Sequence, residues 1–273
     1  MRSFAIVALG GLAALLGAPQ ARAEGTAAAT SLADSAQVTS VTSATATSPQ
    51  VKAVYELYTS QGCSTCPAAD ALLGRLAAQR DDILALTLPV DIWDYLGWRD
   101  TLARPEFADR QKAYARTLGD GMVYTPQAVV SGLVHVNGSN AEKVELAIDK
   151  TAKRFAGSRV PISLSVSTGR FVIDVAAAPA GLRAPKAATV WVLAIARNVK
   201  VPITRGENRG RTIVYTNVVR RMMPIGTWSG KEMVVELDPR SFMTGDCDRS
   251  AVLLQQGRGG PIVGAAVLEG KGT

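Results

Sequence analysis

Two cysteines separated by two residues are the feature of this sequence most able to do chemistry. Cys63 and Cys66 lie in the stretch YTSQGCSTCPAAD, and Pro67 follows them directly. Such a pair can exchange thiols for disulfides, bind a soft metal ion through two thiolates, or form a structural disulfide. The residues around the pair must therefore show which of these three functions the sequence favours.

Zinc and a structural disulfide fit the sequence poorly. Structural zinc normally takes four Cys or His ligands, and the chain offers only Cys247 and His135 beyond the pair. A disulfide that spans two intervening residues stabilises little, because the entropic gain grows with loop length. Two questions stay open: whether Cys63 and Cys66 bind Cu(I), with His135 as a third ligand, and whether Cys247 is an unpaired thiol or an exchange partner.

The expected position of the pair at the start of a helix favours thiol–disulfide exchange. Apolar residues recur at helical spacing through 66–79, so a helix begins at the cysteines. The helix dipole and the unpaired N–H groups lower the pKa of a cysteine there, which selects Cys63 as the nucleophile. Cys66, one turn later, can attack a mixed disulfide and release the partner.

We therefore predict a thiol–disulfide oxidoreductase that acts on protein or small thiols and needs no cofactor. The alternative is a non-enzymatic copper-binding or partner-binding protein that uses the same scaffold. Disulfide exchange with a model substrate separates the two, because only the first function requires it.

A proton acceptor near the pair would help to deprotonate the second cysteine. Glu56 lies on a predicted strand, 51–59, from which it could reach beneath Cys66. The other interpretation of Glu56 is a charged residue at a strand edge. Asp91 and Asp94 are further candidates for the same role.

Aromatic residues are dense in the segment PVDIWDYLGW, although they make up only 5% of the chain. Trp93, Tyr95 and Trp98 are candidates for a rim that grips a substrate. Packing in the core or between domains is the other interpretation.

Arginines are concentrated in the stretch TRGENRGR, residues 204–211. Arg205, Arg209 and Arg211 there could bind an anion or an acidic partner, because guanidinium groups match carboxylates in two-point contacts. A solvated hairpin loop is the other interpretation.

The predicted elements change character along the chain. Residues 51–157 alternate between strands and helices, with a helix from Pro105 to a cap at Gly119 and another after a capping box at Ser139. Residues 158–273 instead read as seven short strands without a convincing helix, which is typical of a sandwich or barrel.

Four stretches carry a resemblance to known proteins: YELYTSQGCSTCPAAD, VDIWDYLGWRD, YTPQAVVSG and RGENRGRTIVYTNVV. They resemble a family of exported bacterial proteins classed as a domain of unknown function, and the order of elements resembles the thioredoxin fold. The implied fold class is an α/β thioredoxin-like domain, 51–157, followed by an all-β, sandwich-like domain, 158–273. The resemblance also implies that Pro126 is a cis-proline facing the cysteines, where the other interpretation is a turn device, and that Thr125 offers its backbone to an extended substrate.

The N-terminus predicts export. Residues 1–23 combine Arg2, an apolar run and the small-x-small end Ala21-Arg22-Ala23, as a secretory signal peptide does. An uncleaved anchor is the other interpretation, but the run is shorter than the ~20 residues of a membrane span. Residues 24–50 are rich in Ala, Ser and Thr and predict a disordered linker. We expect a periplasmic or secreted protein without a stable membrane span once the signal is cleaved.

Length and charge narrow the remaining possibilities. A chain of 273 residues suggests about two domains. The formal net charge of +7 is spread along the sequence rather than gathered in a stripe, so a nucleic acid partner is not expected. The expected partner is a thiol or disulfide substrate.

Overall fold

The structure, a computed structural model, describes residues 44–46, 51–180, 182 and 187–270. The predicted signal peptide, 1–23, lies outside the described residues. The predicted linker, 24–50, also lies outside them apart from 44–46, which form a short strand.

Twelve strands and three α-helices make up the part of the chain that the structure describes. The helices are α1 (Cys66–Gln79), α2 (Pro105–Leu118) and α3 (Ala141–Arg154). The first six strands are β1 (Ala44–Ala46), β2 (Ala53–Thr59), β3 (Ile83–Pro89), β4 (Gln127–Val130), β5 (Val134–Asn137) and β6 (Ile162–Ser167). The others are β7 (Arg170–Val175), β8 (Ala188–Pro202), β9 (Thr212–Trp228), β10 (Met233–Leu237), β11 (Arg249–Gln256) and β12 (Ile262–Glu269). No helix among the described residues has the length and apolar character needed to cross a membrane.

The strands form two sheets. The larger has eight strands in the order β12-β11-β8-β9-β3-β2-β4-β5, and the smaller has four in the order β1-β6-β7-β10. The large sheet is mixed, because β2 and β9 each run parallel to β3 while its other pairs are antiparallel. An apolar cluster that includes Phe171, Val190 and Val252 fills the space between the two sheets.

The predicted fold class is wrong. We expected an α/β thioredoxin-like domain followed by a separate all-β domain, but the protein is mostly β, and strands from both halves of the chain share the large sheet. The two halves meet where β3 pairs with β9, at Thr87 and Val218. Asn217 on β9 strengthens the junction by donating its side-chain amide to the carbonyl oxygen of Ala85 at 2.9 Å.

The physical reason for this error is the edge of β3. An unpaired strand edge leaves backbone N–H and C=O groups open to other chains, and covering it with another strand removes that hazard. Alternating apolar residues in a sequence show which face of a strand is buried, but they do not show which strand lies beside it. Strands β8, β9, β11 and β12 of the second half therefore extend the sheet of the first half, while β6, β7 and β10 form the smaller sheet with β1.

The helices lie on opposite faces of the large sheet. Side chains alternate along a strand, so Tyr55 and Leu57 of β2 pack with α1 and α3, whereas Val54 and Tyr58 pack with α2. Glu56, which alternates with Tyr55 and Leu57, therefore lies on the same face as Val54 and Tyr58, towards α2.

The starts of two helices differ in how they are capped. Pro67 occupies the first turn of α1, where its missing N–H costs no hydrogen bond. The predicted capping box of α3 began at Ser139, but the N-cap is Asn140, whose side chain accepts a hydrogen bond from the N–H of Lys143 at 3.0 Å. The N–H groups of α1 have no side-chain cap at its N-cap residue.

Candidate functional site

The two cysteines form a disulfide at the N-terminus of α1. Their Cα atoms are 5.4 Å apart. Cys63 is 5% exposed and Cys66 is fully buried, so an incoming thiol can reach only the first cysteine. Among the described residues no group of three or more His, Cys, Asp and Glu side chains is arranged so that it could hold a metal ion.

A loop from the second half of the chain lies against the cysteine motif. Asn208, 1% exposed, donates its side-chain amide to the carbonyl oxygens of Gln61 at 2.9 Å and Cys63 at 2.8 Å. Its neighbour Glu207 accepts a hydrogen bond from the N–H of Ser64 at 3.2 Å. The loop between β8 and β9 is therefore part of the site, although about 145 residues separate it from the cysteines.

The arginines of this loop point outward. Arg205, Arg209 and Arg211 are exposed, and none forms a side-chain hydrogen bond or an ion pair within the described part of the chain. Gly206 beside them has a positive φ of 72°, and a Cβ there would come within 3.0 Å of the Cβ of Trp98. The backbone of the loop thus packs closely against Trp98, while its three arginine side chains extend into solvent. An anion or an acidic partner for them stays a prediction.

Trp93 joins the cysteine motif to the Thr-Pro motif. Its indole N–H donates to the hydroxyl of Thr125 at 2.7 Å, and its Cβ would lie 3.0 Å from a Cβ on Gly62. The ring of Tyr95 is 6.0 Å from that of Trp93, and Tyr95 is 75% exposed. Of the two aromatic residues, Trp93 builds the scaffold and Tyr95 is presented to solvent.

Trp98 is also bonded into the site. Its indole N–H donates to the side-chain oxygen of Gln61 at 2.8 Å. Asp100, two residues later, accepts from the backbone N–H groups of Gln61, Leu102 and Ala103 at 2.7 to 3.0 Å. Burial raises the pKa of Asp100 to about 6 despite these three bonds. The aromatic segment is thus fastened to the turn that precedes the cysteines.

The Thr125–Pro126 peptide bond is cis, and Pro126 is buried. A Cβ on Gly138 would lie 3.4 Å from both the Cβ of Pro126 and the Cβ of Ala69 on α1. Pro126 is therefore next to the first turns of the helix that the cysteines begin. The substrate-binding roles predicted for Thr125 and Pro126 stay predictions.

Glu56 does not reach beneath the cysteines, as the sequence had suggested. It is buried on the face of the large sheet opposite to α1, where its carboxylate accepts from Arg110 at 2.7 Å and from the hydroxyl of Tyr114 at 2.5 Å. Arg110 also donates to the side chain of Gln255 at 2.7 Å. Glu56 belongs to a buried ion-pair network that connects α2 with β2 and β11.

Asp70 is a titratable group near the cysteines that the sequence interpretation missed. It is 3% exposed, and neither carboxylate oxygen has a hydrogen-bond partner among the described residues. Burial raises the pKa of Asp70 to about 8, a value that also reflects a lowering by the nearby hydroxyl of Thr59 and a smaller increase from the charge of Asp100. The signal was present in the sequence, because Asp70 follows Cys66 by four residues and so shares its helical face.

The other acidic candidates lie in the aromatic segment. Asp94 accepts a hydrogen bond from the backbone N–H of Asp100 at 2.9 Å. Asp91 is exposed. Each of them is less enclosed than Asp70.

His135 and Cys247 are engaged elsewhere. The Nδ1 atom of His135 lies 3.0 Å from the hydroxyl of Tyr124, and its Nε2 atom contacts the carboxylate of Asp120. The sulfur of Cys247 lies 3.0 Å from the hydroxyl of Thr244. Cys247 packs against the cluster between the two sheets.

Comparisons with known proteins identify a family and a fold. The model of a family described as "Protein of unknown function (DUF1223)" matches residues 54–255. A crystal structure of a protein from Agrobacterium tumefaciens is 34% identical, with a TM-score of 0.70 over 82% of this chain and 97% of that chain. HBP35 of Porphyromonas gingivalis has a similar fold, with a TM-score of 0.55 at 12% identity over 81% of this chain and 76% of that chain. No curated protein matches the sequence.

Proposed function

The chain belongs to the DUF1223 family of proteins of unknown function, and we propose that it is an exported thiol–disulfide oxidoreductase. One observation carries the proposal: the Cys63–Cys66 disulfide lies at a helix N-terminus, where Cys63 keeps 5% of its surface exposed and Cys66 is fully buried. A cis-proline, Pro126, packs beside the same helix. This local arrangement resembles that of thioredoxin-like sites, whatever the class of the surrounding fold.

The proposed reaction begins at the sulfur of Cys63, because only this one of the two cysteines has any exposed surface. A substrate thiolate attacks Sγ of Cys63, the bond to Cys66 breaks, and the electron pair leaves with the Cys66 sulfur. In the opposite direction, the thiolate of Cys63 attacks a substrate disulfide, and Cys66 then attacks the mixed disulfide to release the substrate. The N–H groups at the start of α1 stabilise negative charge on the Cys63 sulfur.

Asp70 is the proposed proton donor and acceptor for Cys66. Residues four apart on a helix have Cβ atoms about 5–6 Å apart, so the Asp70 carboxyl is a near neighbour of the buried sulfur. A carboxyl with a pKa of about 8 is mostly protonated at neutral pH and can give its proton to the departing thiolate. In this proposal Asp70, rather than Glu56, has the role of the proton acceptor near Cys66.

The surroundings of the pair support a peptide or a small thiol as the substrate. The backbone of Thr125 is proposed to pair with an extended segment, and the exposed ring of Tyr95 offers apolar surface nearby. The predicted signal peptide at 1–23 supports a location outside the cytosol for this activity, in a compartment where disulfides persist.

Trapping experiments on the full chain test the proposal. Cys63→Ser should abolish exchange with a dithiol substrate, whereas Cys66→Ser should accumulate a mixed disulfide through Cys63. Cys247→Ser is the matched control and should leave exchange at the wild-type rate. The proposal fails if the wild-type protein exchanges with no dithiol or disulfide, and one copper ion retained per chain in such an inert protein would favour a metal-binding role instead.

A further inference from the structure

A groove next to the disulfide is lined by groups that suggest a ligand. It encloses about 550 Å³ between the first turns of α1 and the start of β9. The lining residues are Pro67, Asp70, Ala71, Arg211, Thr212, Ile213 and Val214. Pro67 directly follows Cys66, so the groove begins one residue from the disulfide. Its volume is in the range of small-molecule sites.

Two groups that can carry opposite charges, Asp70 and Arg211, line this groove but form no ion pair with each other. Asp70 is 3% exposed, and its carboxylate forms no ion pair and no hydrogen bond of good geometry among the described residues, although the nearby hydroxyl of Thr59 lowers its pKa. Arg211 is exposed, and its guanidinium forms no ion pair within the described residues. Because a buried carboxylate without a counter-charge is costly, Asp70 must be neutralised by a proton or by a cation that enters the groove.

We propose, building on the proposed exchange activity, that this groove binds a small thiol carrying both an ammonium and a carboxylate, as cysteine does. The ammonium of the ligand lies on Asp70 and its carboxylate on Arg211, and its sulfur is directed to Cys63. Apolar atoms of Ile213 and Val214 line the rest of the groove and suit the methylene and sulfur of such a ligand.

The ammonium has a defined place in the reaction. The ligand thiolate attacks Sγ of Cys63, the Cys63–Cys66 bond breaks, and Cys66 leaves as a thiolate that takes the proton of Asp70. Asp70 is then a buried anion, and the ammonium of the bound ligand neutralises it. A second ligand thiolate then attacks the ligand sulfur of the mixed disulfide and Cys63 leaves as a thiolate that takes a proton from solvent, so two thiols become one small disulfide and the protein gains the dithiol.

A series of four thiols tests this proposal on the oxidised full chain. Cysteine carries both charged groups, cysteamine lacks the carboxylate, 3-mercaptopropionate lacks the ammonium, and 2-mercaptoethanol lacks both. Rates of reduction are compared per thiolate, with dithiothreitol as a reference. We expect cysteine to react about tenfold faster than cysteamine or 3-mercaptopropionate, the factor that one charge-assisted contact of modest strength supplies, and about a hundredfold faster than 2-mercaptoethanol, which lacks two such contacts.

Variants assign the charged contacts. Arg211→Ala should remove the advantage of cysteine over cysteamine. Arg116→Ala, which removes an equal charge from α2 on the other face of the sheet, should keep that advantage. A titration of the wild-type protein with S-methylcysteine, which cannot exchange, should move the amide resonances of the groove without any redox reaction.

The outcomes separate this proposal from the proposed function. Equal rates for all four thiols, together with no shift by S-methylcysteine, overturn the aminothiol site while exchange itself stands. No reduction by any thiol, including dithiothreitol, overturns the proposed function and this proposal with it. If Arg211→Ala does not fold, the four-thiol series and the titration on the wild-type protein still decide.

Discussion

The side-chain amide of Asn208 donates a hydrogen bond to the carbonyl oxygen of Cys63 at 2.8 Å, across 145 residues of sequence. The same amide also reaches the carbonyl of Gln61. These two carbonyls belong to the turn that sets the direction of the cysteine motif, so the second half of the chain helps to shape the site. The shared sheet brings the loop there, because β8 and β9 extend from it next to β3.

Removal of this amide should destabilise the protein. Asn208→Ala leaves two carbonyl oxygens without their partner in a buried place, which should lower the free energy of unfolding by about 1–3 kcal/mol. Urea unfolding of the oxidised protein measures the loss. Asn198→Ala, at an exposed position on β8, is the control and should change stability little. Equal stability of the two variants would mean that the loop is not anchored through Asn208.

Glu207 should hold back the reactivity of Cys63. Its carboxylate accepts from the N–H of Ser64 at 3.2 Å, and that N–H is one of those available to stabilise a thiolate at the start of α1. Glu207→Gln removes the negative charge near the sulfur, so the thiolate fraction at pH 7 should rise.

Alkylation measures that change. In a Cys66→Ser background, Cys63 with Glu207→Gln should react with iodoacetamide about two- to fivefold faster at low salt, and less so at high salt because the contact is exposed. Glu106→Gln on α2 is the matched control. An unchanged or slower reaction in the Glu207 variant would show that the carboxylate does not oppose the thiolate.

Local features of this protein could be predicted from its sequence, whereas long-range ones could not. The helix from Cys66 to Gln79 follows from apolar spacing within a few turns. The pairing of Thr87 with Val218 depends on contacts between segments that are distant in sequence. The local spacing of apolar residues carries no information about such contacts. The predicted fold class was wrong for that reason, and for the same reason the sequence did not place Asn208 at the cysteines.

Glu56 and Asp70 show the same limit within the site. Both are acidic residues near the motif: Glu56 precedes Cys63 by seven residues and Asp70 follows Cys66 by four. The face of β2 places Glu56 with Arg110, while the buried face of α1 carries both Cys66 and Asp70. A helical projection from Cys66 would have found Asp70, because the four-residue spacing is a local feature.

Glu56→Gln tests the structural role assigned to that residue. The change leaves Arg110 as a buried cation without its carboxylate, which should cost about 3–5 kcal/mol of unfolding free energy. The rate of disulfide reduction by dithiothreitol in the folded variant should match that of the wild-type protein. A large change in that rate with little loss of stability would contradict a purely structural role and would show that Glu56 acts on the disulfide.

Asp70 should make the stability of the oxidised protein fall as the pH rises. The pKa of Asp70 is about 8 in the folded protein, against about 4 for an ordinary aspartate, so the folded state holds one more proton than the unfolded state between these values. Since stability falls with pH where the folded state binds more protons, the slope approaches about 1.4 kcal/mol per pH unit. The penalty is absent below pH 4 and is complete above pH 8.

The interval from pH 6 to pH 8 isolates this effect. Asp100, whose pKa is also raised, to about 6, adds to the slope mainly below pH 6 and adds almost nothing above about pH 7, and its share is the same in the wild type and in the Asp70 variant. Asp70→Asn keeps the shape of the side chain and removes its titration, so the variant should gain stability relative to wild type by an amount that grows steadily from pH 6 to pH 8. Urea midpoints at half-unit steps measure the difference, with the exposed Asp81→Asn as the control. Parallel curves for wild type and Asp70→Asn would show that Asp70 is ionised throughout, and the carboxyl could then not serve as the proton donor to Cys66.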